Sequence, residues 1–313
     1  MGAAETSKPH ASVQGRPESV ASFSSVSKNY GKVRALADFS FEVRGGELVA
    51  LLGPNGAGKT TAIRLLLGLA KPNSGKLSVF GGDPASVETH VRVGAMMQVG
   101  RVPETLKVRE HVDLFSSYYP NPLPMSETLA IAGLQELKDR RFGALSDGQK
   151  QRVLFALSIC GNPDLLFLDE PTVGLDVEAR HLLWDEIRNL LRRGKTVVLT
   201  THYLEEADAL ADRIAVINKG RIIAQGSPAE IKSRTAGKKI RCVTELPLDV
   251  IRQMKGVAEV APDRGAVVIQ TAKAEGVLRQ LLQLDLEVSE LEVSSAGLDE
   301  AFLALTREDG ARA

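Results

Sequence analysis

An excess of charge of either sign is the first thing missing from this sequence. Its 313 residues carry 39 Lys and Arg against 39 Asp and Glu. That balance sets up no field drawing the chain to nucleic acid or to anionic lipid, so no nucleic-acid partner is expected. Long apolar runs are also missing. None approaches the ~18–20 residues a membrane span requires, so the chain cannot itself form a pore. Cysteine is scarce: Cys160 and Cys242 lie far apart on apolar-patterned segments, which favours buried thiols in a reducing cytosol over a disulfide or metal site. Residues 1–18 lack the apolar core of a signal peptide; rich in Ser, Ala, Pro and Gly, they read as a disordered leader. Aromatic residues make up only 4% of the chain, so one placed on a turn, such as Tyr30, stands out. What remains, 43% hydrophobic and 25% charged, is ordinary for a globular protein with a substantial core. The length suits one large domain with an appendage, or two domains.

What is present is organised around Gly53-Pro54-Asn55-Gly56-Ala57-Gly58-Lys59-Thr60-Thr61. The stretch fits the phosphate-loop pattern of Gly, four free positions, Gly, Lys and Thr. An apolar run of strand length, Glu47 to Leu52, precedes it, and a helix-forming run, Ala62 to Leu69, follows. Strand, Gly-rich turn and helix start together aim backbone N–H groups and a positive helix end at one point, which suits a polyphosphate. Lys59 adds a mobile charge for the β- and γ-phosphates, and the Thr60 hydroxyl can ligate Mg²⁺. A second apolar strand, Leu165 to Leu168, ends in Asp169 and Glu170. Carboxylates at the end of a parallel strand face the ligand crevice. Asp169 is placed to hold Mg²⁺ through water, and Glu170 to orient or deprotonate an attacking water.

Along the chain, Ser22 to Val26 and Ala37 to Val43 alternate as half-buried antiparallel strands do. Gly75 to Phe80 and Val93 to Met97, the latter ending at Gln98, read as further strands. Leu106 to Leu137 is helical in pattern, broken by prolines at 120, 122 and 124, an insertion into a chain that otherwise alternates strand and helix. Alternation resumes with a helix to about Cys160, the acidic strand, a helix over Val177 to Arg193 and a strand over Thr196 to Thr201. A hairpin over Arg213 to Gln225 follows, then the capping box Ser227-Pro228-Ala229-Glu230. The order predicts a mostly parallel sheet with helices on its faces. Beyond a polar joint at Thr235 to Lys239, four strand-like and three helix-like segments predict a small α+β domain.

Leu145-Ser146-Asp147-Gly148-Gln149-Lys150-Gln151-Arg152 resembles the signature segment of ABC-type ATPases. It lies a short helix upstream of the acidic strand, as in that family. Tyr30, Gln98, Gly174-Leu175-Asp176 and His202 complete the set in the family's order, and the resemblance covers about Ser22 to Arg234. It implies a P-loop NTPase fold of the α/β class with an antiparallel β subdomain and a helical subdomain over about 100–160, the ATPase domain spanning 19–234 and the small domain 235–313. ATP and Mg²⁺ are implied as ligands. The resemblance gives adenine stacking to Tyr30 and phosphate binding to Gly53 through Thr61. It gives Mg²⁺ to Thr60, Gln98 and Asp169, and hydrolysis to Glu170, His202, Gln98 and Lys59. Ser146, Gly148 and Gln149 would meet an ATP held by the opposite subunit, with Asp176 at the interface. A homodimer, or a heterodimer of two such domains, closing over two ATP molecules is therefore implied. One departure stands out. Asp147 replaces a Gly usual in the family; as a good helix N-cap it is expected to start the following helix while placing a carboxylate near the γ-phosphate.

Three roles follow from that resemblance. The first is the motor subunit of a transporter whose permease is a separate transmembrane chain, peripheral to the cytoplasmic face of the cell membrane. The family's helical insertion receives such a partner, and Phe115, Tyr118 and Tyr119 are candidate docking residues, or else core. DNA-maintenance relatives carry a long coiled coil, for which the roughly ninety residues from Gly53 to Leu145 leave no room. Ribosome-acting relatives carry two cassettes in one chain. The ending Leu298-Asp299-Glu300-Ala301-Phe302-Leu303-Ala304-Leu305-Thr306 resembles that of subunits from drug- and antibiotic-exporting systems, so an exporter of drugs, antibiotics or lipids is expected. An importer subunit and a soluble ABC ATPase are the alternatives.

Overall fold

The computed structural model of the chain describes residues 19–98, 102–234, 238–271, 273–295 and 297–312. The leader over 1–18, residues 100–101 at the start of the expected helical subdomain, 235–237 of the polar joint and Ala272 lie outside the described residues.

The chain opens with two long strands, β1 (Ser19–Tyr30) and β2 (Val33–Arg44), paired antiparallel. Their alternating pattern buries Ala21, Phe23 and Val26 from one, and Phe39, Phe41 and Val43 from the other. Phe23 and Phe39 meet edge to face at 5.1 Å, a favoured aromatic geometry. Next come β3 (Leu48–Leu52), α1 (Lys59–Leu66) and β4 (Ser74–Val79). β4 completes a three-stranded antiparallel sheet in the order β2-β1-β4.

After the short α2 (Val87–His90) and β5 (Val93–Met96) the chain turns helical, with α3 (Val108–Ser116), α4 (Met125–Ile131) and α5 (Asp147–Ile159). The prolines fall between α3 and α4, where the α-helical hydrogen-bond ladder stops. Strand–helix alternation returns with β6 (Leu165–Asp169), α6 (Val177–Arg192), β7 (Thr196–Thr201) and α7 (Leu204–Leu210). The hairpin β8 (Arg213–Asn218) and β9 (Arg221–Gly226), then α8 (Pro228–Arg234), end the segment.

The central sheet runs β5-β6-β7-β3-β8-β9. All its pairings are parallel except the β8–β9 hairpin. β3, β6 and β7 are buried along their whole length, as parallel strands covered on both faces must be. One cluster joins Phe23, Phe39 and Phe41 to α1 and Phe167. Another packs α3, α5 and α6 against Leu166, Leu168 and Leu199. Cys160 and Cys242 are buried free thiols, and burial raises both above the usual thiol range.

The remaining elements are β10 (Lys238–Val243), α9 (Leu248–Arg252), β11 (Val257–Asp263), β12 (Ala266–Thr271), α10 (Ala274–Leu284), β13 (Ser289–Ser295) and α11 (Leu298–Arg312). Their sheet is antiparallel in the order β11-β12-β10-β13, over a core of Ile240, Ile251, Ile269, Val277 and Leu281. The apolar residues of α11 pack away from that small sheet. Leu298 and Ala301 are buried with Ala50, Leu52, Ile214, Val216 and Ile231 around the central sheet. The apolar face of α11 is thus used by α7, α8 and the β8–β9 hairpin rather than by the small sheet. No helix among the described residues is long and apolar enough to cross a membrane.

Candidate active site

Four neighbouring strands build the site. β5, β6, β7 and β3 lie side by side and parallel, so their carboxyl ends share one rim, and each is followed by a residue singled out in the sequence. Gln98 follows β5, Asp169 ends β6 with Glu170 next, His202 follows β7, and the phosphate loop follows β3.

The loop turns sharply into α1. Gly58, the residue capping α1, has φ of 112°, a left-handed conformation that only glycine adopts without strain. A Cβ there would lie 2.6 Å from the Ala35 carbonyl oxygen. Gly53 is needed for another reason: a Cβ would stand 2.3 Å from the carbonyl oxygen of Ile217, so only a bare backbone passes β8. The Lys59 ammonium, almost fully buried, donates to the carbonyl oxygens of Gly53 at 2.7 Å and Pro54 at 3.3 Å. Burial holds its pKa below the usual lysine range, against the pull of Glu170 and Asp169.

Glu170 is where the site converges. Its Oε1 lies 3.7 Å from Lys59 Nζ and 3.2 Å from His202 Nδ1, and its Oε2 accepts from Gln98 Nε2 at 3.0 Å. Its backbone sits at φ 54°, a conformation that costs a non-glycine residue about 1–3 kcal/mol. The Glu170 N–H donates to the Thr200 carbonyl at 3.0 Å and to Thr200 Oγ1 at 3.1 Å, which holds the turn in place. Thr200 went unnoticed in the sequence. Nothing but its place on the neighbouring strand marks it.

Asp169 Oδ1 accepts from the hydroxyls of Thr60, at 3.2 Å, and Thr200. Asp169 Oδ2 is buried and makes no hydrogen bond. An unpaired buried carboxylate oxygen beside a threonine hydroxyl fits a divalent cation. No cluster of three His, Cys, Asp or Glu suited to a metal occurs among the described residues. A Mg²⁺ here would therefore take most of its ligands from phosphate and water.

Above these groups opens a cavity of about 510 Å³, lined by Asn55, Gly56, Ala57, Gly58, Lys59, Thr60 and Thr61 of the loop, with Gln98, Glu170 and Tyr30. Tyr30 ends β1, is 44% exposed and has Lys28 Nζ 5.0 Å from its ring centroid. A nucleotide with its phosphates on the loop would have this aromatic face within the same cavity.

The signature residues are elsewhere. None of Ser146, Gly148, Gln149 and Asp176 lines the cavity. Ser146 caps α5: its Oγ accepts from Gln149 N–H at 3.3 Å, and its own N–H donates to Gln149 Oε1 at 3.1 Å, a complete capping box. This corrects the expectation for Asp147, which is not the cap but the first residue within the helix, where its charge complements the helix dipole. Gly148 lies against Leu175, whose Cδ2 would be 3.5 Å from an added Cβ. Asp176 caps α6 by accepting from Ala179 N–H at 2.8 Å. Signature segment and Asp176 thus form one surface, separate from the phosphate loop of the same chain.

The three docking candidates divide. Tyr118 is 66% exposed, and Phe115 packs partly on the core with its ring 6.0 Å from that of Tyr118. Tyr119 turns inward instead, its hydroxyl donating to the Val93 carbonyl at 3.4 Å, and burial raises its pKa. Tyr119, like Phe115, is partly buried against the core, with its hydroxyl directed at β5.

The protein-family model described as ABC transporter matches residues 36–173. The chain is 44% identical over 213 residues to "Nod factor export ATP-binding protein I" of Burkholderia orbicola (strain AU 1054), covering 66% of this chain and 70% of that one. Among solved structures, "Structure of ATP binding subunit of ABC transporter" aligns with a TM-score of 0.63 at 28% identity, covering 69% of this chain and 92% of that one. "Dimeric Structure of MJ0796, a Bacterial ABC Transporter Cassette" aligns at 0.60 and 26% identity, covering 66% and 98%.

Proposed function

The chain belongs to the ABC transporter family, as its ATP-hydrolysing, transport-coupled subunit, and on that footing we propose a residue-level account of how it hydrolyses ATP and what that drives. The observation that carries the account is the convergence of Lys59, Gln98 and His202 on Glu170 at the mouth of the phosphate-loop cavity.

Phosphoryl transfer asks mainly for positioning and charge neutralisation. The loop amides and Lys59 bind the β- and γ-phosphates. When ATP enters, the Lys59 ammonium exchanges the carbonyls of Gly53 and Pro54 for phosphate oxygens. Thr60, Asp169 and Gln98 would hold Mg²⁺, which would supply neutralisation of charge on the phosphates. Glu170 takes the proton of the attacking water, and His202, bonded to Glu170, orients it and meets the γ-phosphate. Tyr30 stacks on adenine, a contact that demands only a π-face. Ser146, Gly148 and Gln149 complete the site of a second copy: the Ser146 oxygen is used as an acceptor within its own cap, which leaves its O–H to donate to phosphate.

ABC cassettes dimerise and pair with a transmembrane permease. In this chain Tyr118 and Phe115, on the helical subdomain, are the docking surface for that permease at the cytoplasmic face of the membrane. The similarity to a Nod factor export subunit supports outward transport, with the cargo chosen by the permease. The test is Glu170→Gln. Nucleotide binding should persist, turnover should fall by roughly 10²–10⁴-fold, and ATP should trap a dimer visible by size-exclusion chromatography. Unchanged turnover would remove Glu170 from the role of base.

A further inference from the structure

His202 stands on a loop with 37% of its side chain exposed, yet its Nδ1 is held 3.2 Å from Glu170 Oε1. Burial alone does not fix so open a ring. The next residue supplies a surface for it. The Tyr203 ring lies against the imidazole with centroids 4.2 Å apart and planes inclined by 35°. Tyr203 is itself tied down by its N–H, which donates to Thr201 Oγ1 at 2.9 Å. Over the same tyrosine ring sits the guanidinium of Arg180, 5.2 Å from the centroid, a cation–π arrangement for which Arg is the usual partner. Arg180 Nη1 is also 3.8 Å from Glu205 Oε2.

Arg180 stands in the first turn of α6. Its N–H donates to the Asp176 carbonyl at 3.0 Å, one residue beyond the Ala179 N–H that Asp176 Oδ1 caps. The stack therefore runs without a break from the loop that starts α6, through Arg180 and Tyr203, to the imidazole on Glu170. Each member is a planar group whose neighbour restricts its tilt.

We propose that Tyr203 and Arg180 are positioning residues for ATP hydrolysis: the Arg180–Tyr203–His202 stack sets the imidazole against Glu170 and ties it to the capped start of α6 at Asp176. The proposal rests on the reading of Glu170 and His202 as the water-handling pair. Neither positioning residue touches the reacting atoms. Their contribution is to keep His202 in the orientation that turnover needs, and a small misplacement of a catalytic group is costly even when binding is intact.

The test uses the full chain, with kcat, KM for ATP and thermal midpoint measured separately. Tyr203→Leu keeps apolar bulk but removes the π-face; kcat should fall about ten- to a hundredfold while KM and the midpoint stay near wild type. Tyr203→Phe keeps the face and should restore kcat to within about twofold. Arg180→Gln should lower kcat several-fold, providing a second handle should the leucine variant fold poorly. In a His202→Ala background neither substitution should lower turnover further, because the group they position is gone. Wild-type kcat in both Tyr203→Leu and Arg180→Gln, with His202→Ala impaired, overturns the stack and leaves the site intact. A loss that persists in the His202→Ala background, or that tracks a falling midpoint, overturns it in favour of packing. Wild-type turnover in His202→Ala would instead overturn the underlying reading.

Discussion

Glu206 is more deeply buried than either carboxylate of the site, with no exposed surface. Trp184 Nε1 donates to its Oε1 at 3.2 Å, while Oε2 makes no hydrogen bond. Burial raises its pKa above the ordinary value of 4.5, opposed by Thr201, Trp184, Thr172 and the charge of Arg180. The sign follows directly. The folded state keeps the proton where the unfolded chain has released it, so stability declines as pH rises from about 4.5 through the raised folded value. Glu206→Gln should therefore gain stability relative to wild type as pH rises through that window, measured as denaturation midpoints from acid to mildly alkaline buffer. Midpoints that run parallel at every pH would show that Glu206 carries no such linkage. Lys59, Asp169 and Glu170 could be singled out in the sequence because each sits at a fixed offset from an apolar strand, and Gln98 only through the family resemblance. Glu206, Thr200 and Arg180 could not. Their roles come from neighbouring strands and helices across the fold, and no local spacing encodes that.

At the scale of elements, α5 shows how the helical insertion is locked down. Its carboxyl end is covered by the proline-rich link between α3 and α4, where Leu123 N–H donates to the Cys160 carbonyl at 2.8 Å. The Tyr119 ring lies where a Gly161 side chain would be, 2.4 Å from an added Cβ. Gly161→Ala should cost about 1–3 kcal/mol by overpacking, read as a lower denaturation midpoint; an unchanged midpoint would mean that the ring moves aside freely. At the other end, Asp147 within the first turn favours the helix, so Asp147→Gly should slightly lower stability and change ATPase activity by less than about tenfold, some 1.4 kcal/mol in barrier. A larger gain in rate would show that the carboxylate hinders the γ-phosphate. The Gly161-Asn162-Pro163 stop and the helix before it were legible in the sequence. The inward turn of Tyr119 was not, because Phe115, Tyr118 and Tyr119 share one short segment and only packing separates them.

At the scale of the whole molecule, the chain leaves the ATPase domain, builds a small sheet and returns as α11 to cover α7 and α8. The α+β character of that tail follows from its periodicity. The destination of α11 does not, since an amphipathic helix does not name the surface it covers. Ala301 is fully buried there whereas Leu303 is 51% exposed. Ala301→Asp should lower ATPase-domain stability by at least ~2 kcal/mol through an unpaired buried charge, and Leu303→Asp should leave it nearly unchanged. Equal effects would contradict the packing of α11 on the ATPase domain.

The larger consequence of the proposed mechanism is that one chain would supply two half-sites. Lys59 and Glu170 face one cavity, and Ser146 with Asp176 forms another surface. Mixing a Lys59→Ala chain with a Ser146→Arg chain tests this directly. Each should be inactive alone. In the mixture, half of randomly paired dimers carry one whole site, so about a quarter of wild-type ATPase activity should return if the two sites act independently. A mixture no more active than the sum of its parts would contradict the account that each ATP is completed by a second copy.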